Sequence, residues 1–327
     1  MPERQSNRRG AATYTFTRVA LDQLEDVEAM DATSDPQGQP TSASERRRAE
    51  WTERVERYAR DAAPKTHSFA VALVGLLPPP AGAQVLDVAT GTGLVAVEAA
   101  RRAGPHGSVL ATDFLSAWEP YVRETASAAG ITNVMFASMT AEALALPDAS
   151  FDIVYCQFGL MFVPEPIRAL REMRRVLRPG GRIGISVWSV PEKVGLFLIQ
   201  RIVAPALPPT TGEASPSPMS MGAPGLIEDM VAEAGFCGVV RHPVTIFHDI
   251  ADPEIEWQQW RENFAMPDGG GLERLPAHVQ QQLHNDVIAA FLSFRDGDTI
   301  RIPSEAILVT ASKEMSWFQR AAKAHRR

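Results

Sequence analysis

Residues 83–96 read Ala-Gln-Val-Leu-Asp-Val-Ala-Thr-Gly-Thr-Gly-Leu-Val-Ala, an apolar run that enters a Gly-containing turn and leaves as a helix. Val85, Leu86 and Val88 make the strand, Asp87 is its one acid, and Leu94–Ala103 has an Ala/Val-rich helical pattern. Glycine in a strand-to-helix turn permits positive φ and lets a ligand approach the main chain closely. An acid aimed into that turn adds a fixed negative charge. Such a turn suits a ligand whose near end is cationic, not a bare phosphate.

Two ligand classes compete for this loop. Gly91-Thr92-Gly93-Leu94-Val95-Ala96 fits the G-x-G-x-x-G/A dinucleotide fingerprint, and Asp113 lies 20 residues past Gly93, where an acid would hold a ribose. Asp87 changes the balance, because a pyrophosphate beside a carboxylate suffers like-charge repulsion in a partly desolvated site. An aminoacyl ammonium or a sulfonium is favoured there, so the loop suits S-adenosylmethionine better than NAD. The bland alternative is an ordinary Gly-containing βα turn in which Asp87 caps the following backbone.

Composition narrows the class. Hydrophobic residues at 45% and charged residues at 22% are globular values. A net charge of -7 argues against a nucleic-acid partner held by phosphate neutralisation, which needs a basic face. The two cysteines, Cys156 and Cys237, form no disulfide framework, and Cys156 reads as a small buried apolar residue. No uninterrupted apolar run is long enough to span a bilayer, and Met1 to Gly10 carries no signal-peptide core, so the expected compartment is cytoplasmic.

The chain divides by pattern. Residues 1–43 lack a sustained period and read as a flexible arm, with a short acidic helix over Val19 to Met30. Residues 44–80 read as two cap helices. Ser44 N-caps the first, Pro64 ends it, and Thr66 to Leu77 form the second before Pro78-Pro79-Pro80. Residues 81–190 alternate strand and helix with short connections: strands at Ser108 to Thr112, Val134 to Ala137, Phe151 to Gln157 and Arg182 to Trp188. The helices fall at Trp118 to Ala129 and Pro166 to Leu177, with Arg178-Pro179-Gly180-Gly181 as a stop. This alternation predicts a parallel sheet covered on both faces, a Rossmann-like doubly wound α/β fold.

Residues 191–224, rich in Pro, Ser and Met, read as a mobile lid with a short helix at Gly195 to Val203. Residues 225–312 supply the rest of the sheet, with strands at Gly238 to His248 and Glu305 to Thr310. A helical insertion at 252–298 interrupts them, and 313–327 is a basic tail. The two long excursions are expected to pack as a cap over the sheet's C-terminal edge.

Three segments, in order, resemble class I S-adenosylmethionine-dependent methyltransferases, and in particular the small-molecule branch containing the ubiquinone/menaquinone C-methyltransferases. They are Val-Leu-Asp-Val-Ala-Thr-Gly-Thr-Gly (85–93), Ala-Glu-Ala-Leu-Ala-Leu-Pro-Asp-Ala-Ser-Phe-Asp-Ile-Val (141–154) and Arg-Glu-Met-Arg-Arg-Val-Leu-Arg-Pro-Gly-Gly-Arg (171–182). The resemblance covers about residues 45 to 312. It implies a seven-stranded sheet whose last strand runs antiparallel, with S-adenosylmethionine as cofactor. It also implies that Asp87 anchors the aminoacyl end while Ala89, Gly91, Thr92 and Gly93 give loop contacts. Asp113 would take the ribose hydroxyls, Phe114 would lie against the adenine, and Ala141 and Glu142 would line the adenine edge. Gln157 would sit near the methionine portion. Where such sequences commonly place an acid before the Ala-Glu pair, this chain has Thr140, whose hydroxyl or backbone carbonyl would take over the adenine amino group.

Methyl transfer from a sulfonium is an in-line displacement, so the protein mainly supplies proximity, alignment and exclusion of water. A base helps only for phenols or acidic carbons; His67, at the start of the second cap helix, is the catalytic candidate, with His248 behind it. The seven histidines (67, 106, 242, 248, 278, 284, 325) show no ligand spacing, and no metal is expected. Tyr58, which shares a helical face with Trp51, and Phe158, Met161, Phe162, Trp188 and Trp257 are candidate pocket residues, joined by Leu160, Phe197 and Trp260. Such a lining favours a lipophilic or aromatic small-molecule acceptor. The charge run Arg171 to Arg178 reads as a solvated helix face. The rival readings are an NAD(P)-dependent oxidoreductase, for which no Tyr-x-x-x-Lys follows the fourth strand, and a catalytically silent binding subunit on the same fold.

Overall fold

The sheet is built outward from β1 (Gln84–Val88), all five of whose residues are buried. It pairs in parallel with β2 (Ser108–Asp113) on one side and β4 (Phe151–Gln157) on the other. A strand covered on both faces and both edges has no polar surface to satisfy, which is why its sequence is nearly all apolar. The computed structural model describes residues 43–207, 217–264 and 271–314. The predicted acidic helix and all of the predicted arm but Ala43 therefore fall outside the described residues, as does nearly all of the basic tail.

With β3 (Val134–Ser138), β5 (Leu177–Trp188), β6 (Cys237–Ile250) and β8 (Thr299–Ser312), the strand order is β3-β2-β1-β4-β5-β8-β6. β1 to β5 are parallel, and β8 runs antiparallel to both β5 and β6. This is the expected seven-stranded sheet with its last strand reversed, plus a two-residue β7 (Arg295–Asp296) folded onto β8. The chain winds from β1 out to β3 and returns to β4, so the order reverses between β1 and β4. That switch point opens a crevice at the carboxyl ends of the strands, where α/β sheets bind ligands.

Helices α1 (Ala43–Arg57) and α2 (Ala63–Leu76) precede the sheet, joined by one π-helical turn, Tyr58–Ala62. Pro64 does not end the first helix, as the sequence suggested. It sits in the first turn of α2, where the missing N–H would lack an intrahelical acceptor anyway, and the π turn carries the chain through. Phe69, Ala70, Leu73 and Val74 of α2 are buried, and the Tyr155 hydroxyl donates to the Leu77 carbonyl, tying α2 to β4. The remaining core helices are α3 (Leu94–Ala103), α4 (Glu119–Ala128) and α5 (Pro166–Val176). The Arg178–Gly181 stretch, expected as a stop, lies inside β5. It bulges there, with Phe151 opposite Leu177 but Ile153 opposite Arg182.

Beyond β5 the chain adds α6 (Leu198–Val203), α7 (Leu226–Glu233), α8 (Pro253–Phe264) and α9 (Ala277–Leu292). β8 pairs with β5 over Ala306–Ser312, while its pairing with β6 continues to Ile300, so a two-stranded ribbon projects past the sheet. Ile250, Ile300 and Ile302 of that ribbon bury with Leu198, Ile199, Val203, Trp257, Leu283, Val287 and Phe291 in a second hydrophobic cluster. The front of the first excursion, Leu198–Val203, is thus a packed element. Residues 208–216 of it lie outside the described residues. Polar contacts tie this cap to the N-terminal helices: Lys65 Nζ meets Glu256 Oε2 at 2.8 Å, and Arg57 Nη1 donates to the Glu262 carbonyl at 3.4 Å. Among the described residues, no helix is long and apolar enough to cross a membrane.

Phe69 is fully buried and packs edge-on against Phe158 (5.5 Å) and Trp188 (5.3 Å). Phe69→Ala is expected to lower unfolding free energy by about 3–5 kcal/mol in urea titrations. A loss below about 1 kcal/mol would mean this junction of α2 and the sheet is not a core contact.

Candidate functional site

At the carboxyl end of β1 the chain turns sharply. Ala89, Gly91 and Gly93 take φ values of +55°, +54° and +83°, and α3 starts immediately afterwards. Left-handed backbone is easy for the glycines and strained for alanine, so Ala89 marks a turn held by its surroundings. The holding contact comes from the end of β4. A Cβ on Gly159 would stand 2.3 Å from the Ala89 Cβ, so only glycine fits there, and Phe158 next to it is also left-handed at φ +51°. The two strand ends flanking the switch point are therefore pressed together, and the cleft opens between them.

Two acids from adjacent strands face this cleft. The Thr90 hydroxyl donates to Asp87 Oδ2 at 2.6 Å, whereas Asp87 Oδ1 is buried without a partner in hydrogen-bonding geometry. Asp113 accepts from the Gly91 amide at 3.1 Å through Oδ2 and from the Leu115 amide at 3.3 Å through Oδ1. Gln157, at the end of β4, leaves its buried Oε1 unpartnered and reaches the Thr66 carbonyl only at 3.5 Å through Nε2. Two orphaned acceptors on one cleft wall call for a cationic, multiple-donor group, because an unmade buried hydrogen bond is costly. These residues fit the aminoacyl end of S-adenosylmethionine.

The cleft is lined by Asp87, Ala89, Gly91, Thr92, Asp113, Phe114, Ala141, Glu142 and Gln157, together with Tyr58, Phe158 and Phe162. Gly93 shapes the turn from behind, its Cα face packed on Val122. Thr140 is not on the wall; its carbonyl accepts from the Ala143 amide at 3.2 Å and starts the turn that presents Ala141 and Glu142. Met161 is buried behind the wall, and Trp188 backs it by stacking on Phe158 at 4.0 Å. Trp257 belongs to the cap cluster, stacked on Trp260 at 5.7 Å, and does not reach the cleft. His67 is exposed and off the wall: the turn of α2 that carries it points Thr66 inward instead. His248 also stays off the wall, 6.4 Å from the Phe69 ring. Among the described residues no group of His, Cys, Asp and Glu is arranged to hold a metal ion.

Sequence reasoning missed Arg47, Thr66, Trp118, Met139 and Val163, all of which line the cleft. Arg47, Thr66 and Trp118 come from α1, α2 and the short turn Ser116–Trp118, which meet only in space, while Met139 and Val163 lie just beyond β3 and beyond the short turn after β4. Trp51 lies edge-on to Phe162 at 5.1 Å and Tyr58 edge-on to Trp118 at 5.7 Å, and all four rings line the cleft. Arg47 places its guanidinium 5.3 Å from the Phe114 ring, and Arg48 donates to the Phe114 carbonyl. Burial, reinforced by Asp113, pushes the Tyr58 phenol up to about 12, so it stays neutral.

Residues 85–181 match a family described as a methyltransferase domain. The ubiquinone/menaquinone biosynthesis C-methyltransferase UbiE of Hahella chejuensis is 44% identical over 112 residues, 34% of this chain and 45% of its own length. The chain thus spans about 45% of that relative's length. The protein of the same name from Bradyrhizobium diazoefficiens is 35% identical over 182 residues, which covers 51% of this chain and 72% of the relative. A Bacillus halodurans structure assigned as a methyltransferase superposes with a TM-score of 0.50 at 21% identity, over 76% of this chain and 100% of its own, a likeness of fold.

The two cleft acids are unusual in their protonation. Burial pushes the Asp87 carboxyl up to about 7, against the opposing pull of the Thr90 hydroxyl and the Ala96 amide. Burial likewise pushes Asp113 up to about 6, against the backbone amides that bond it. Because both folded values lie above the unfolded one, the stability they contribute is complete below about pH 4 and lost as pH rises through 6 and 7. Asp87→Asn is therefore expected to match the native chain near pH 4 and to exceed it at pH 8 by on the order of 2–4 kcal/mol. Urea unfolding across that range checks this. Parallel pH profiles for the two proteins would contradict the burial argument.

Proposed function

We propose, from the premise that this chain belongs to the class I S-adenosylmethionine-dependent methyltransferases, that it transfers a methyl group from that cofactor to carbon or oxygen of a lipophilic or aromatic small molecule. The observation that carries the reading is the pair of orphaned acceptors, Asp87 Oδ1 and Gln157 Oε1, in one buried cleft. Asp87 and Gln157 hold the aminoacyl ammonium, Asp113 takes the ribose hydroxyls, and Phe114, Ala141 and Glu142 bound the adenine. When bound, the cofactor supplies an activated methyl on a sulfonium leaving group. The protein's part is to align the acceptor for in-line attack and to keep water out.

The acceptor side is aromatic. Trp51, Tyr58, Phe158 and Phe162 line the same cleft as the acids, and such a lining favours a ring or prenyl-like surface over a charged polymer. The relatives' names concern ubiquinone and menaquinone biosynthesis, which supports an aromatic quinol-type acceptor. With His67 exposed and Tyr58 held neutral, the acceptor's own nucleophilicity carries more of the reaction than a protein base does.

Asp87→Asn should weaken S-adenosylhomocysteine binding at least tenfold, about 1.4 kcal/mol, by removing the buried charge that faces the ammonium. Calorimetry showing unchanged affinity would count against this role for the loop. Thermal shifts with S-adenosylhomocysteine but none with NAD are expected, and the reverse pattern would favour a hydride-transfer enzyme. Label transfer from methyl-labelled cofactor to a panel of quinols, phenols and amines should mark quinols or phenols. Binding without transfer to any of them would favour the silent-subunit reading.

A further inference from the structure

The charge run on α5 contains a clamp that the cofactor contacts do not explain. Arg175 uses all five of its N–H groups. Nε and one Nη2 hydrogen go to the Glu172 carboxylate, both at 2.8 Å, and the other Nη2 hydrogen goes to the Leu144 carbonyl at 2.8 Å. Nη1 donates to the Leu146 carbonyl at 2.8 Å and to Asp148 Oδ1 at 2.6 Å. Glu172 Oε2 closes the ring by accepting from the Leu144 amide at 3.0 Å. The shared bonds hold the Glu172 carboxyl below its ordinary range.

Everything the two side chains grip outside their own helix lies in one stretch, residues 144–148. The same loop carries Met139, Ala141 and Glu142 of the cleft wall, two to five residues upstream of the clamped carbonyl of Leu144. Neither Arg175 nor Glu172 touches the cleft. A loop with no strand or helix of its own would leave those wall residues imprecisely placed, and a planar five-donor fork fixes carbonyl positions in a way a point charge cannot.

We infer that Arg175, locked by Glu172, is a positioning residue that sets the adenine-reading edge of the cleft and so determines which nucleobase the cofactor carries. The inference rests on the cofactor reading given above. It places base discrimination in a side-chain pair on the far side of the loop, where a substitution changes selectivity without removing any contact to the ligand.

Arg175→Lys keeps the charge and loses the fork. Calorimetry with S-adenosylhomocysteine and with S-inosylhomocysteine, which differs only in the base, reads the effect. The native chain should prefer the adenine compound. The variant should lose about tenfold for it and much less for the inosine compound, so that the ratio collapses. Where Arg175→Lys does not fold, Glu172→Gln carries the same comparison. A lowered melting temperature with the native binding ratio overturns the inference and leaves only a structural brace. A native chain that binds both compounds alike also overturns it. A native chain that binds neither removes the cofactor reading, and this inference with it.

Discussion

A carboxylate buried at the end of the central strand is the constraint around which the molecule is arranged. Asp87 is fully enclosed; the Thr90 hydroxyl donates to Oδ2, Oδ1 has no donor in hydrogen-bonding geometry, and the Ala96 amide acts on the carboxylate from α3. Taking an ionised carboxylate out of water without a partner is expensive, which is why its protonation is pushed toward neutrality in the free chain. Asp113, one strand over, is in the same condition but better supplied, since two backbone amides bond it. The fold thus holds a deficit of positive charge and of donors at the switch point of the sheet. A cationic amino-acid end relieves that deficit, and a phosphate would deepen it.

The other parts of the structure serve this point from different directions. The close approach of Gly159 to Ala89 brings the ends of β1 and β4 together, setting Gln157 beside Asp87. α1 and the π turn bring Trp51 and Tyr58 into the cleft lining, and the Arg175–Glu172 pair holds Leu144 in the loop after Ala141 and Glu142. The cap, with its own hydrophobic cluster, is a separate packing unit joined to the N-terminal helices through the Lys65–Glu256 and Arg57–Glu262 contacts. One partly exposed ion pair and one exposed hydrogen bond to a backbone carbonyl contribute little to stability. Their significance is geometric: they connect the two helical layers that cover the strand ends.

How far the sequence was legible follows from which interactions are local. The strand-turn-helix at 85–103 was readable because its signals, an apolar run, positive-φ glycines and a helical pattern, act within a few residues. Pro64 misled because proline is compatible with two different local situations, a helix end and a helix first turn, and only the packing of α2 on the sheet selects between them. Arg178–Gly181 misled for a similar reason: a Pro-Gly-Gly stretch makes a turn or a bulge, and here β4 alongside makes it a bulge. His67 and Trp257 were chosen by residue type, but helix phase turned the first outward and the cap core absorbed the second.

The amino-acid sequence by itself determined the parallel α/β core and the place of the acid-bearing turn within it. Those depend on periodicity, backbone freedom and a single carboxylate, all of which are properties of short segments. The tertiary structure alone decided which aromatic rings close the cleft, that Asp87 and Gln157 are each left with an empty acceptor, and that Arg175 braces a loop about 30 residues away from it in the chain. Burial and hydrogen-bond satisfaction are sums over neighbours brought from distant positions, and no local pattern encodes them.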